Sequence, residues 1–318
     1  MLQKVNKMVS TLDDNLAKGR GKQQNCFPRL DDNLLDLINQ YVGDSLLMKV
    51  ISPETDFVEY GWVNSENMSE YDPEKVRKLH LFQVVSSIDT LSTFTRLTHL
   101  DISWNKLSEL PVLPKGLTHL DCSYNRLSEL PVLSMEFTYL DCSNNRLSEL
   151  PVLPRELTYL DCSWNMLSVI LELPKGLIHL DCYENMLSVI PELPQGLTHL
   201  NCSWNESLTF LPVLPHTLRV LNCSRDYNLQ VLPALPQKLR KFDCSWTSLT
   251  TIPYLPQELT HLKTLSDTIT ELPVLPQGLI YLNISENILK TLSSLPPGLK
   301  NLYCRGKKLT ELPQDLLV

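Results

Sequence analysis

From Leu97 onward, apolar residues recur in one fixed order with a period of 20, stretched to 21 at two places. Copies begin at Leu97, Leu117, Phe137, Leu157, Leu177, Leu197, Leu218, Leu239, Leu259, Leu279 and Leu299. In the copy LTHLDCSYN, which runs from Leu117 to Asn125, Leu117, Leu120 and Cys122 are the apolar positions, and Leu127, Leu130 and Leu133 follow. A unit this short cannot bury its apolar side alone, so eleven in succession predict a solenoid in which each unit packs on its neighbours.

The segment HLDCS, residues 119–123, alternates polar with apolar and predicts one short parallel strand per copy. Leu120 and Cys122 face inward; His119, Asp121 and Ser123 face outward onto a concave surface. Asparagine follows the strand at Asn105, Asn125, Asn145, Asn165, Asn185, Asn205 and Asn287. Its amide can satisfy backbone groups of the turn and of the adjacent copy, so these residues read as structural. The return segment SELPVLP carries paired prolines, and only Pro28, Pro53 and Pro73 of the 22 prolines precede Leu97. An extended, polyproline-like return is predicted in place of a helix. At about 4.8 Å per strand, eleven copies stack to roughly 50 Å.

Ahead of the array the pattern changes. Residues 1–25 are polar and mostly basic, which predicts a flexible tail; a targeting or secretion segment has the same composition. Residues 26–96 predict a helical N-terminal cap that merges into a degenerate first repeat. Asp32 can cap a helix with Leu34, Leu35, Ile38, Tyr41 and Val42 on one face. A turn-rich stretch follows, anchored by Tyr60 and Trp62. A second helix is expected after Pro73, using Val76, Leu79 and Leu81, and the degenerate repeat within 82–96, with Ile88, Leu91 and Phe94 inward. The array itself occupies residues 97–318.

Eight of the nine cysteines, Cys122, Cys142, Cys162, Cys182, Cys202, Cys223, Cys244 and Cys304, share one inward repeat position. They predict a buried ladder of reduced thiols and a reducing, cytoplasmic setting, not a disulfide framework. The sequons at Asn201, Asn222 and Asn283 fall within strands and read as incidental. A net charge of −8 with no basic patch argues against nucleic acid as a partner. No apolar run of membrane-spanning length is present, and the N-terminus, interrupted by Asp13 and Asp14, lacks the core of a Sec signal peptide.

The spacing L-x-x-L-x-(L/C)-x-x-N-x-L is that of a leucine-rich repeat. The return L-P-x-L-P-x-x-L, at Leu110 to Leu117, Leu150 to Leu157 and Leu272 to Leu279, resembles the 20-residue repeats of bacterial secreted effectors of the YopM and IpaH type. Similar arrays occur in giant DNA viruses. The resemblance covers about two thirds of the chain and implies a β-rich leucine-rich-repeat solenoid that binds proteins, in the YopM manner, as a scaffold inside a host cell. The catalytic ubiquitin-ligase domain of IpaH-like members is not expected here, because the repeat pattern runs to the end at Val318, and Cys304 sits at the buried position. Residues 27–50 also faintly resemble the opening of an F-box, which implies a second reading as a ubiquitin-ligase substrate adaptor holding a Skp1-like subunit.

The outward columns carry the candidate site. One reads His119, Tyr139, Tyr159, His179 and His199; its neighbour reads Asp121, Asp141, Asp161 and Asp181; Trp164 and Trp204 stand just past the strand. Tyrosine and tryptophan supply contact area, and aspartate selects a basic or hydrogen-bond-donating protein partner. Protonated histidines beside the aspartates would relieve repulsion along the acidic column. No catalytic residue, metal site or cofactor is expected. The Ser, His and Asp residues recur in every copy, whereas catalytic groups are singular, and parallel side chains on a flat sheet do not converge on a metal.

Overall fold

The computed structural model describes residues 73–81, 89–266, 268–290, 292 and 294–306. All lie in the compact unit Leu47–Val318; the unit Met1–Leu46, and with it the basic tail and the F-box-like reading of residues 27–50, falls outside the described residues. The helix expected from Asp32 and the anchors Tyr60 and Trp62 are likewise outside them.

Among the described residues, twelve three-residue strands form one parallel sheet in strict chain order. They are β1 (Lys78–His80), β2 (His99–Asp101), β3 (His119–Asp121), β4 (Tyr139–Asp141), β5 (Tyr159–Asp161), β6 (His179–Asp181), β7 (His199–Asn201), β8 (Val220–Asn222), β9 (Lys241–Asp243), β10 (His261–Lys263), β11 (Tyr281–Asn283) and β12 (Asn301–Tyr303). Every pair is in register, so repeat position faces repeat position, as with Leu120 against Leu140 and Asp121 against Asp141. The central residue of each strand from β1 to β11 is buried.

The first strand corrects the reading of the cap. Residues 78–80 form β1 and not a second helix, with Val76, Leu79 and Leu81 buried. The reason lies in the spacing: Val76-x-x-Leu79-x-Leu81 satisfies one face of a helix, but it is also the Leu97-x-x-Leu100-x-Ile102 of the repeat itself. Pairing of Lys78 with His99 decides for the strand. Leu91 and Phe94 are buried as expected, on either side of the end of a short 3-10 turn, Asp89–Thr93.

The returns contain no helix among the described residues and close on a turn in which leucine donates to a proline carbonyl, Leu117 N to Pro114 O at 3.2 Å and Leu157 N to Pro154 O at 3.1 Å. Along the return Val112 is exposed while Pro114, two residues on, is buried, which fits the three-residue period of a polyproline-like segment and not strand alternation. Seven core cysteines, Cys122 to Cys244, are fully buried free thiols, and Cys304 in the turn after β12 is partly buried. Each buried thiol points at a carbonyl of the next copy, Cys122 Sγ to Asp141 O at 3.4 Å, and burial pushes the thiols up, that of Cys244 to about 12. Thiols held this far from ionisation are inert hydrophobes.

Asparagine ties successive copies together. Asn185 Nδ2 donates to Cys162 O (3.0 Å) in the preceding copy and Cys182 O (3.2 Å) in its own, while its Oδ1 accepts from Leu167 N (3.0 Å). The pattern repeats at Asn125, Asn145, Asn165 and Asn205. It satisfies backbone groups that the three-residue strands leave unpaired.

Candidate partner-binding face

His99, His119, Tyr139, Tyr159, His179 and His199 occupy the first position of β2 to β7 and lie half-buried in register. Their rings form a continuous stack, with centroids 3.9, 5.9, 4.4, 4.5 and 5.4 Å apart along the column. Each ring covers its neighbour's face, so the column presents edges. The threonine preceding three of these histidines fixes the tautomer. Thr118 Oγ1 donates its one proton to Thr98 O (3.1 Å) and can only accept from His119 Nδ1 (2.8 Å). Thr98 with His99 and Thr198 with His199 repeat this geometry, so Nδ1 carries the hydrogen and Nε2 is the ring's acceptor. Burial, with the neighbouring imidazoles, pushes His99 and His179 down to about 4. The column is neutral at physiological pH.

The aspartate column lies two residues further along each strand. Asp121 Oδ1 accepts from Ser123 N (3.0 Å) and Ser123 Oγ (2.7 Å), and Asp141 and Asp161 hold Ser143 and Ser163 in the same way. The carboxyl thus closes the strand with a local turn. The serine hydroxyls are drawn in with it. Ser123, expected on the outer surface, is buried, because the chain bends after the aspartate and strand alternation stops there. Burial, and then the neighbouring carboxyls, pushes Asp121 and Asp181 up to about 6 and Asp141 up to about 8. Asp101 is the exception: burial works against it, but hydrogen bonds from His80 (3.0 Å) and Ser103 hold it below the usual carboxylate range. The histidine column therefore does not relieve the acidic column, contrary to the sequence-based expectation. Burial keeps the imidazoles neutral, and the carboxyls relieve one another by keeping protons.

Just past the strand stand Trp104, Tyr124, Asn144, Trp164, Glu184, Trp204, Arg225 and Trp246, all with left-handed φ between 51° and 62°. The conformation turns each N–H toward the next copy, as in Trp104 N to Ser123 O (3.0 Å) and Trp164 N to Tyr183 O (2.8 Å). For a bulky L-residue it costs on the order of 1 kcal/mol per position. Asparagine tolerates it best, yet only Asn144 uses that option. Trp104 and Trp164 are instead 43% and 48% exposed. Trp104 stacks on Tyr124 at 3.8 Å with 8° between planes, and Trp164 meets the edge of Tyr183 at 5.5 Å. The Arg225 guanidinium lies 4.4 Å over the Trp204 ring. Tyr183 joins Trp164 to Trp204, edge-on to both rings, and Arg225 lies between Trp204 and Trp246; Tyr183 was not singled out in the sequence, where it stands at a serine position of the repeat. An open cleft of about 520 Å³ lies over this column, lined by Trp104, Tyr124, Asn144 and Trp164 and by the exposed Lys106 and Arg126.

The predicted site residues His119, Asp121, Tyr139, Asp141, Tyr159, Asp161, His179, Asp181 and His199 thus share one face of β3 to β7, and Trp164 and Trp204 border it. Among the described residues no group of three or more His, Cys, Asp or Glu side chains converges as metal ligands do, and no helix is long and apolar enough to cross a membrane.

A family model described as Leucine Rich Repeat matches residues 96–115. Among solved structures, the chain is similar to YopM, a leucine-rich effector protein from Yersinia pestis, with 31% identity and a TM-score of 0.56 over 72% of this chain and 59% of that one. It is also similar to YopM from Yersinia enterocolitica WA-314 (26% identity, TM-score 0.48, 76% of this chain, 72% of that one). A third similarity is to the functional domain of InlJ from Listeria monocytogenes (24%, 0.47, 74% and 64%). No curated protein matches. The chain carries leucine-rich repeats in a parallel solenoid, a fold typical of protein–protein interaction scaffolds.

Proposed function

We propose that this protein is a non-enzymatic scaffold that holds a partner protein on the face carrying the histidine–tyrosine, aspartate and tryptophan columns, and that it acts as a secreted effector in the reducing cytoplasm of a host cell. The observation that carries the reading is the row of aromatic side chains kept exposed in left-handed backbone, where asparagine would be less strained. Local strain of this kind accompanies functional surfaces. Aromatic residues supply much contact area at low entropic cost, as the anchors of protein interfaces do. The aspartates favour a basic or hydrogen-bond-donating partner, because a cation placed beside Asp141 would take the place of the proton it holds. The similarity to a leucine-rich effector supports the setting, and the inert thiol ladder suits a reducing compartment.

Photo-crosslinking tests this. A photoreactive side chain at Tyr124 should give partner adducts in host-cell lysate, and one at Val152, which is exposed on the return, should not. In the double variant Trp164→Asn, Trp204→Asn the adducts should vanish while the thermal midpoint stays the same or rises, since asparagine fits left-handed backbone. Adducts of equal yield from Val152, or adducts that survive the double variant, would refute the binding face.

A further inference from the structure

The geometry points to an aromatic-insertion slot over Asn144 that accepts one planar side chain of a partner segment, flanked by carboxylates that reach Lys106 and Arg126. This inference rests on the scaffold reading and names what one part of the face recognises.

The slot arises where the column first loses its ring. Trp104, Tyr124 and Trp164 are aromatic, and the copy between Tyr124 and Trp164 carries Asn144. All four residues adopt the same left-handed backbone, with φ of 56°, 53°, 53° and 51°, so the missing ring is a matter of side chain and not of a different turn. Where no ring is missing the column closes up: Trp104 and Tyr124 stack at 3.8 Å. Tyr124 and Trp164 are two strand spacings apart, about 9.6 Å. Two aromatic contacts of about 4.5–5 Å each fill that distance, so one inserted ring can touch both walls. The Asn144 side-chain amide forms the floor and has no hydrogen-bond partner among the described residues, which leaves a donor and an acceptor for the edge of the incoming group or its backbone.

Charge fixes the flanks. Lys106 and Arg126 line the same cleft, are exposed, and have no carboxylate within ion-pair distance among the described residues. Arg146 continues their column one copy further on. Glu109 and Glu129 lie three residues beyond the two cations and face solvent without pairing with them. The cleft therefore offers stacking area and unspent positive charge together, and the ligand that uses both is an aromatic residue with acidic neighbours.

The test uses the full chain and four fluorescein-labelled, terminally blocked five-residue peptides: a tryptophan between two pairs of glutamates, the same peptide with alanine or with tyrosine at the centre, and the tryptophan peptide with lysine for glutamate. Polarisation should show binding of both acidic aromatic peptides, with the alanine and lysine peptides weaker by at least about tenfold. Asn144→Trp completes the aromatic column with a residue the same backbone already carries in neighbouring copies, and should remove binding without loss of fold by circular dichroism. Lys106→Gln with Arg126→Gln should weaken it and flatten its dependence on salt. The inference is overturned if no acidic aromatic peptide binds, if the lysine or alanine peptide binds as well, or if Asn144→Trp binds undiminished. Photo-crosslinked partner adducts that persist while the peptides fail would separate loss of the slot from loss of the scaffold reading.

Discussion

Replacing Asn205 by leucine should lower stability by on the order of 2–6 kcal/mol, enough to threaten folding in a chain of ordinary stability. Asn205 is fully buried, donates to Cys182 O (3.1 Å) and Cys202 O (2.8 Å), and accepts from Leu187 N (2.9 Å). Leucine of similar volume fills the space but leaves the Leu187 N–H and the Cys202 carbonyl unpaired, each costing about 1–3 kcal/mol, while Cys182 O keeps the Asn185 amide. The loss should be local first, because a solenoid unit contacts only its neighbours. Hydrogen exchange at the Leu187 amide is the direct reading, with urea unfolding beside it. Val152→Ala, on the exposed side of the return, is the control and should change little. An Asn205→Leu protein whose Leu187 amide stays protected would show that the ladder does not hold the copies together.

Stability should fall between pH 6.5 and pH 8, and Asp226→Asn should remove part of that fall. Asp226 stands where the other copies have the ladder asparagine; its Oδ1 accepts from Asn205 N (2.7 Å), and its Oδ2 is buried without a partner. Burial pushes it up to about 8, and burial with the adjoining Asp121 and Asp161 does the same to Asp141. A raised carboxyl binds its proton in the folded state where the unfolded chain has released it. Its contribution is fully present below the ordinary carboxylate value and is lost as pH climbs to about 8. His99 and His179, depressed to about 4, act in the opposite sense, but only below the ordinary imidazole value of 6.5. Above that pH the carboxyls act alone, at about 1.4 kcal/mol per pH unit for each proton retained. Thermal midpoints at pH 6.5 and pH 8 decide the matter. Equal midpoints for the native chain would mean that these carboxyls are ionised throughout. In Asp226→Asn the amide cannot ionise and restores the ladder's donor, so the variant should also gain stability at pH 8.

The array was legible in the sequence because its signal is repetition: Leu120, Cys122 and Asn125 mean little singly, but their recurrence fixes strand, core and turn. The solenoid and its strand order follow from that. What was misread is where two physical templates share one spacing. Val76, Leu79 and Leu81 fit a helix face and a repeat strand equally, and only the neighbouring strand decides between them. The candidate face was legible as columns but not as states. Whether Asp141 carries charge depends on how deeply it is buried and then on Asp121 and Asp161 beside it, and whether His119 does depends on its burial and then on Lys78. The left-handed turn at Trp104, Trp164 and Trp204 left no mark either, since glycine and asparagine are its usual signs and tryptophan argues against it.

The strict register of the sheet makes the face a line of type, set one character per unit. An in-frame loss of residues 137–156 would seat Tyr124 directly beside Trp164 and close the gap over Asn144, while every leucine, cysteine and ladder asparagine would find an equivalent partner. Exchange between near-identical copies can therefore reset the outward columns in whole-unit steps while the inward columns stay in register, and on the proposed reading that rewrites what is recognised.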